Sequence, residues 1–229
     1  MQSRGAMNMK WLGSVGLAAA ALLACGTISG CNIVGPIGVL LSPPPKVPKA
    51  YELPKTQIGV VFVDDRDNKL PRRALKQTIG AEATVKLLMA KSMANMVDAK
   101  AAQTVASQEK PGEPLKVTEI GRRAKADVVI WVAIDEFFLS PDGQTFSPGA
   151  KLRVKVIDAT NDKKLWPEEK AGYKMTVAPA ARSAPIPKSL GDVQKAEQAL
   201  AELVGAAVAE LFYDEKILDS SRIHGPTGQ

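Results

Sequence analysis

Cysteine, histidine and aromatic residues are scarce in this 229-residue chain. Its two Cys, Cys25 and Cys31, lie near the N-terminus, and its one His, His224, lies near the C-terminus. Those counts exclude a Cys/His zinc site, an internal disulfide framework and a Ser-His-Asp or Cys-His nucleophile system in the body of the chain. No Gly-x-Gly-x-x-Gly and no Walker loop occurs, so the usual phosphate cradles are missing. Charge of neither sign dominates: 30 Lys and Arg stand against 24 Asp and Glu, a net +6. The basic residues are spread and aromatics make up only 5%, which argues against a nucleic-acid footprint. What remains is 45% hydrophobic and 24% charged, the balance of a folded domain. The length fits one domain with tails.

The first ten residues carry Arg4 and Lys10 and no acid. Trp11 to Ala24 is small and apolar. A basic start followed by a short apolar stretch is a secretory signal. At 14 residues it is shorter than the ~20 that a bilayer needs. Extending it to Leu41 brings in Gly26, Ser29, Gly30, Asn32, Gly35 and Pro36, which make a poor spanning helix. A retained anchor helix is the competing reading. Ser29-Gly30-Cys31 resembles a bacterial lipobox, in which small residues precede a Cys that is acylated and becomes the new N-terminus. Leu23-Ala24-Cys25 fits the same pattern; Cys31 is preferred because Ser-Gly-Cys is the better local match and a tether follows soon after. Cleavage before Cys31 removes two basic residues and no acids, taking the formal charge from +6 to +4. Two or three acyl chains anchor stably where one does not.

The expected organisation is a lipoprotein signal peptide over 1–30, a lipidated Cys and Pro-rich tether over 31–55, a single domain over 56–215 and a flexible tail over 216–229. Residues 33–41, IVGPIGVLL, either lie in the membrane interface beside the lipid or pack on the domain. Five of the thirteen residues of 42–54 are Pro, which favours an extended spacer. Pro45 and Pro48 also have PxxP spacing.

Within the domain, IGVVFV at 58–63 reads as a buried strand. Leu75, Ile79, Ala83 and Leu87 recur every fourth position, and Met93, Met96 and Val97 extend the stripe into a helix over about 71–97. A short strand is expected around 102–106 and a short helix over 117–125. DVVIWVAI at 127–134 is apolar on both faces, the mark of a central strand. KLRVKVID at 151–158 alternates, so it predicts a half-buried antiparallel neighbour. Leu165-Trp166 and Tyr173–Val177 read as one interrupted strand. Ser189-x-x-Asp192 forms a capping box before a helix over about 190–213. The sum is a mixed α/β domain: a four- to five-stranded mixed sheet with about three packed helices, in the order β-α-(β)-α-β-β-β-α.

Ala126-Asp127 opening a hydrophobic strand, Val156-Ile157-Asp158 closing another, and Asn161-Asp162 turning into a strand with Trp166 form a pattern. It resembles the α/β domain shared by the curli-secretion lipoprotein CsgG, the penicillin-binding-protein activator LpoB and the TolB N-terminal domain. The resemblance spans roughly 56–213. It implies an envelope protein that binds other proteins and performs no catalysis. The usual Gly before Ala-Asp is Lys125 here, and the usual Thr-Gly turn is Asn161-Asp162. The 140–149 loop is too short for the long membrane hairpins of a secretion pore.

Three clusters carry candidate chemistry. Asp64, Asp65, Asp67 and Asn68 follow the first strand, either as a cation or ligand edge or as a solvated turn paired with Arg66, Arg72 and Arg73. The cluster lacks the Gly and terminal Glu of a calcium loop. Asp135 and Glu136, adjacent on a strand, are expected on opposite faces and so unable to act as a pair. Lys151, Arg153 and Lys155 form a basic stripe, suited to anionic lipid or cell-wall polymer or simply solvated. Trp131 and Trp166 are expected in the core. The expected function is a membrane-anchored, non-enzymatic envelope lipoprotein facing the periplasm, held by its N-terminal acyl chains, with a domain that binds an envelope protein. The alternative is a lipoprotein that binds cell wall or a small ligand. Lipidation at Cys31 is the one site residue; no cofactor, metal or nucleic acid is expected.

Overall fold

β-branched residues at 58–64 and 128–138 build two parallel strands side by side, and the rest of the sheet grows from them. The computed structural model describes residues 46–110, 112–179, 186–216 and 223–224. The expected signal peptide, Cys25 and Cys31 lie outside them, as do residues 32–45 of the expected tether. The strands are β1 (Lys46–Val47), β2 (Ile58–Asp64), β3 (Asn95–Val97), β4 (Val128–Phe138), β5 (Gly149–Asp158), β6 (Lys163–Trp166), β7 (Tyr173–Val177), β8 (Glu215–Lys216) and β9 (Ile223–His224). The helices are α1 (Ala74–Met89), α2 (Ala99–Ala106), α3 (Val117–Arg123) and α4 (Leu190–Glu210).

The main sheet runs β3-β2-β4-β5-β7-β9. Its first three strands are parallel and the remainder antiparallel. β6 and β7 lie end to end along one edge of β5, against Val156–Asp158 and Ala150–Val154 respectively. They are the two halves of the interrupted strand. The mixed α/β class holds, in an open sheet with more strands and one more helix than the sequence predicts. α1 and α4 pack on Val61, Val63, Ile130, Val132 and Val154 on one face. α2 and α3 cover Val60, Phe62 and Val129 on the other.

α1 and α4 run side by side in the same direction. Arg72 Nε meets Glu197 Oε2 at 2.6 Å at one end, and Ser92 Oγ donates to the Phe212 carbonyl at 3.1 Å at the other. Gly205 permits the close approach, since a Cβ there would fall 2.6 Å from the Ile79 carbonyl oxygen. α4 starts with the expected capping box: Ser189 Oγ accepts from the Asp192 N–H at 3.2 Å and donates to its carboxylate at 2.9 Å.

Two expectations fail between 90 and 106. The long helix stops at Ala90, because Lys91 adopts a φ of 54° and two backbone bonds close the end: Lys91 N–H to Leu88 and Ser92 N–H to Leu87, both 3.0 Å. Met93 then drops into the core and Asn95–Val97 becomes an edge strand. Residues 102–106 are helical rather than extended, in a helix capped by the Asp98 carboxylate on the Lys100 N–H at 2.8 Å. α3 ends as α1 does, with Lys125 at φ 61° and bonds from Lys125 N–H to Arg122 and Ala126 N–H to Gly121. Asp162 sits at φ 56°. Lys125 and Asp162 thus both sit on backbone that Gly adopts freely.

The domain also begins earlier in the chain than residue 56. β1 pairs with β8, and the Ala50 and Tyr51 N–H groups donate to the Leu211 carbonyl at 2.8 and 3.2 Å. Leu53 is 2% exposed, a burial worth about 1.5–3 kcal/mol. Tyr51 stacks on Trp166 at 5.9 Å, and Trp166 meets Tyr173 at 5.0 Å and Phe212 at 6.0 Å. Residues 46–55 are therefore docked rather than an extended spacer. In the expected tail, Lys216 and Ile223–His224 are strand-paired.

Candidate functional site

The carboxyl ends of β2 and β3 feed α1 on one face of the sheet and α2 on the other, which opens a crevice between the two connections. It holds about 430 Å³ and is lined by Asp64, Asp65, Arg66, Arg73, Lys76 and Gln103 among others. The acidic cluster is not solvated as a whole: Asp64 and Asp65 are buried, while Asp67 and Asn68 are exposed. The Asp65 carboxylate accepts from the Lys69 N–H at 2.6 Å and pins the turn into α1. Asp64 Oδ2 accepts from Trp131 Nε1 at 2.9 Å and from Arg66 at 3.2 Å. Arg66 also reaches Glu109 at 2.8 Å and the Leu115 carbonyl at 3.0 Å. Arg72 turns away to Glu197. Among the described residues, no group of three or more His, Cys, Asp or Glu is placed to hold a metal ion.

Trp131 links this crevice to a second surface. It is half-buried rather than core. α2 and α3 cover the β2–β4 part of their face, and Trp131 packs against the rim of that cluster beside the outward residues of β5. Lys155 Nζ lies 4.6 Å from the ring centroid and the Arg153 guanidinium 5.9 Å. Burial, then the neighbouring charges of Arg153 and Lys164, hold the Lys155 amine below its usual range. Arg153 grips Asp135 through Nε at 2.9 Å and Nη2 at 2.7 Å.

The expectation for Asp135 and Glu136 also changes. A register shift between Ile134 and Glu136 breaks the alternation of β4. Both carboxylates then face β5 cations of one stripe, Asp135 on Arg153 and Glu136 on Lys151 at 3.0 Å. Both line a shallow cleft of about 240 Å³ with Lys174 and Thr176. The stripe of Lys151, Arg153 and Lys155 is where the sequence places it. Sequence reasoning missed Trp131 opposite its Lys155 end and the Asp64 bond behind it. The only signal was that Trp131 shares the register face of Arg153 and Lys155, on neighbouring strands.

No protein-family model matches the chain, and no curated protein matches it in sequence. Solved structures similar to it include a PelC dodecamer from Paraburkholderia phytofirmans, with a TM-score of 0.43, 12% identity, and 75% of this chain and 99% of that one covered. The hypothetical protein CT253 from Chlamydia trachomatis scores 0.41 at 18% identity, covering 67% of this chain and 96% of that one. Lipoprotein GNA1162 from Neisseria meningitidis scores 0.34 at 15% identity, covering 61% and 92%. These likenesses are loose. No helix among the described residues is long and apolar enough to cross a membrane.

Proposed function

We propose that this chain is a lipid-anchored protein of the bacterial cell envelope, acylated at Cys31 and facing the periplasm, whose domain of CsgG, LpoB and TolB type binds an envelope protein partner and turns over no substrate. The anchoring rests on the basic start, the short apolar stretch and Ser29-Gly30-Cys31. The binding rests on one observation: Trp131, half-buried at the rim of the cluster under α2 and α3, has Lys155 and Arg153 over its ring. An indole held by a buried carboxylate behind and flanked by cations in front is a rigid, amphipathic contact of the kind that anchors interfaces. Its partner surface carries acidic side chains. Binding rather than catalysis is supported by the carboxylates themselves. Asp64, Asp65, Asp135 and Glu136 each have fixed partners.

Mass spectrometry of the mature N-terminus from a membrane fraction tests the anchor. A diacylglyceryl-modified Cys31, with a Cys31→Ser variant lost from membranes, supports it; an unmodified N-terminus sinks it. A photo-crosslinking residue at Thr176 tests the surface. One discrete adduct, abolished by Lys155→Glu, is the expected result, and absence of any adduct rejects this face. The second reading, a cell-wall or small-ligand binder, is favoured by the 430 Å³ crevice with Arg73 and Lys76 on its wall.

A further inference from the structure

α1 descends from the carboxyl end of β2 to the start of β3, so its last turn sits at the end of the domain where β2 begins. The N-terminal segment is held at that same end. Lys49, Glu52, Leu53 and Lys55 share a small cleft with Ala90, Lys91 and Ser92, and the Ala94 N–H donates to the Lys55 carbonyl at 3.4 Å. Here the surface turns apolar. Val85, Leu88 and Met89 form one face of the last turns of α1 and are 49%, 40% and 75% exposed. A helix packed only against its own domain has no use for three adjacent apolar side chains in water.

We propose that this end of the domain, with Met89 at its tip, is a contact surface for an anionic lipid bilayer. The inference rests on the acylated Cys31 of the preceding section. The occupant follows from the chain. Cys31 lies fifteen residues before Lys46, where the docked segment begins. Fifteen residues span at most about 50 Å fully extended and about 20 Å as a flexible coil. The surface nearest the anchor is thus held against the lipid at a high effective concentration, where a weak contact suffices. The charge pattern agrees. From Thr84 to Val97 the chain carries Lys86 and Lys91 and no acidic residue, with Glu82 one turn earlier at 3.8 Å from Lys86. Lys55 adds a side chain 61% exposed, with Glu52 its neighbour at 3.6 Å. Met and Leu enter the acyl boundary while lysines on flexible stems reach the headgroups, the arrangement of interfacial helices.

The test uses the mature lipidated chain carrying Met89→Cys. With the Cys31 sulfur alkylated, this is the one free thiol, and Met89 is exposed enough that the change leaves folding intact. A fluorophore on this thiol is compared with one on Gln144→Cys, in the β4–β5 loop at the opposite end. Vesicles contain nitroxide-labelled lipid and either about one-third phosphatidylglycerol or phosphatidylcholine alone. The expected result is at least threefold more quenching at position 89 than at 144 in anionic vesicles. Half or more of that excess disappears in zwitterionic vesicles and in a Lys86→Glu/Lys91→Glu variant. Equal quenching at the two positions on chain that floats with vesicles overturns the contact surface and leaves the anchor standing. Protection of position 89 that grows with protein density and ignores lipid charge assigns the surface to a second copy and overturns it too. Chain that fails to float, with an unmodified Cys31 by mass, overturns the anchor and this inference together.

Discussion

Asp64, at the end of β2, accepts the indole N–H of Trp131 on β4 at 2.9 Å and the Arg66 guanidinium at 3.2 Å. One buried carboxylate therefore fixes both the proposed contact residue and the wall of the crevice. Replacing it by Ala leaves the indole donor without its acceptor and removes one of the three acceptors of the Arg66 guanidinium. Asp64→Ala is expected to lower stability by about 1–3 kcal/mol. Asp64→Asn keeps an acceptor for the indole and costs less. Urea titration of both variants checks the order; a larger loss for Asn than for Ala contradicts it.

Lys91 and Lys125 occupy helix ends at positive φ, where a side chain is strained and glycine is not. Lys125→Gly is expected to raise stability by about 0.5–1 kcal/mol, and Lys91→Gly similarly. Thermal unfolding of the two single variants decides this. A lowered midpoint in both rules out strain as the governing term.

Trp166 is the hub on which Tyr51 is stacked and against which Tyr173 and Phe212 pack. Trp166→Ala is expected to cost about 2–4 kcal/mol, below the full-core range because the ring is only half-buried. The more specific outcome is local. Trypsin cleavage after Lys49 and Lys55 speeds up at least tenfold while the rest of the domain stays resistant. Uniform acceleration at all sites indicates that the segment and the sheet unfold as one unit.

Asp158 closes β5 and accepts from the Asn161 N–H at 2.8 Å, the Asn161 side chain at 2.8 Å and the Thr160 N–H at 2.9 Å. The Asn161 backbone bond, then its side-chain bond, hold the carboxyl below its usual range. A carboxyl lowered in the folded state contributes stability above its unfolded pKa of about 3.9. That contribution is lost as pH falls through the folded value. The stability gap between wild type and Asp158→Asn is thus expected to narrow steadily from pH 5 to pH 2.5. Denaturant midpoints at those two values read it out, and a gap that widens on acidification contradicts the assignment.

The central strands and α4 were legible because burial on two faces and a capping box leave unambiguous patterns. The region from 90 to 106 was not. Met93 and Met96 continue the i, i+4 stripe of α1, so periodicity alone cannot see the turn that Lys91 makes with a positive φ. A three-residue edge strand is too short to show alternation. Asp98 before Ala99 was a cap signal that could have located α2. At the site, the stripe on β5 was plain from its alternation. The bulge at Asp135 was hidden, since nothing in an apolar run marks where one residue is inserted. Trp131 read as core because its strand neighbours are core; its exposure depends on how far α2 and α3 extend over the sheet.

The pairing of β1 with β8 also has a mechanical meaning. Tension on the chain N-terminal to Lys46 meets first a two-residue antiparallel ladder, Lys46 with Lys216 and Val47 with Glu215. Behind it stand the two bonds to Leu211, the Tyr51 stack and the buried Leu53. Only when all of these have peeled does load reach β2. Residues 46–55 therefore work as a fuse: slack is paid out from the docked strap while the sheet and its half-buried indole keep their shape.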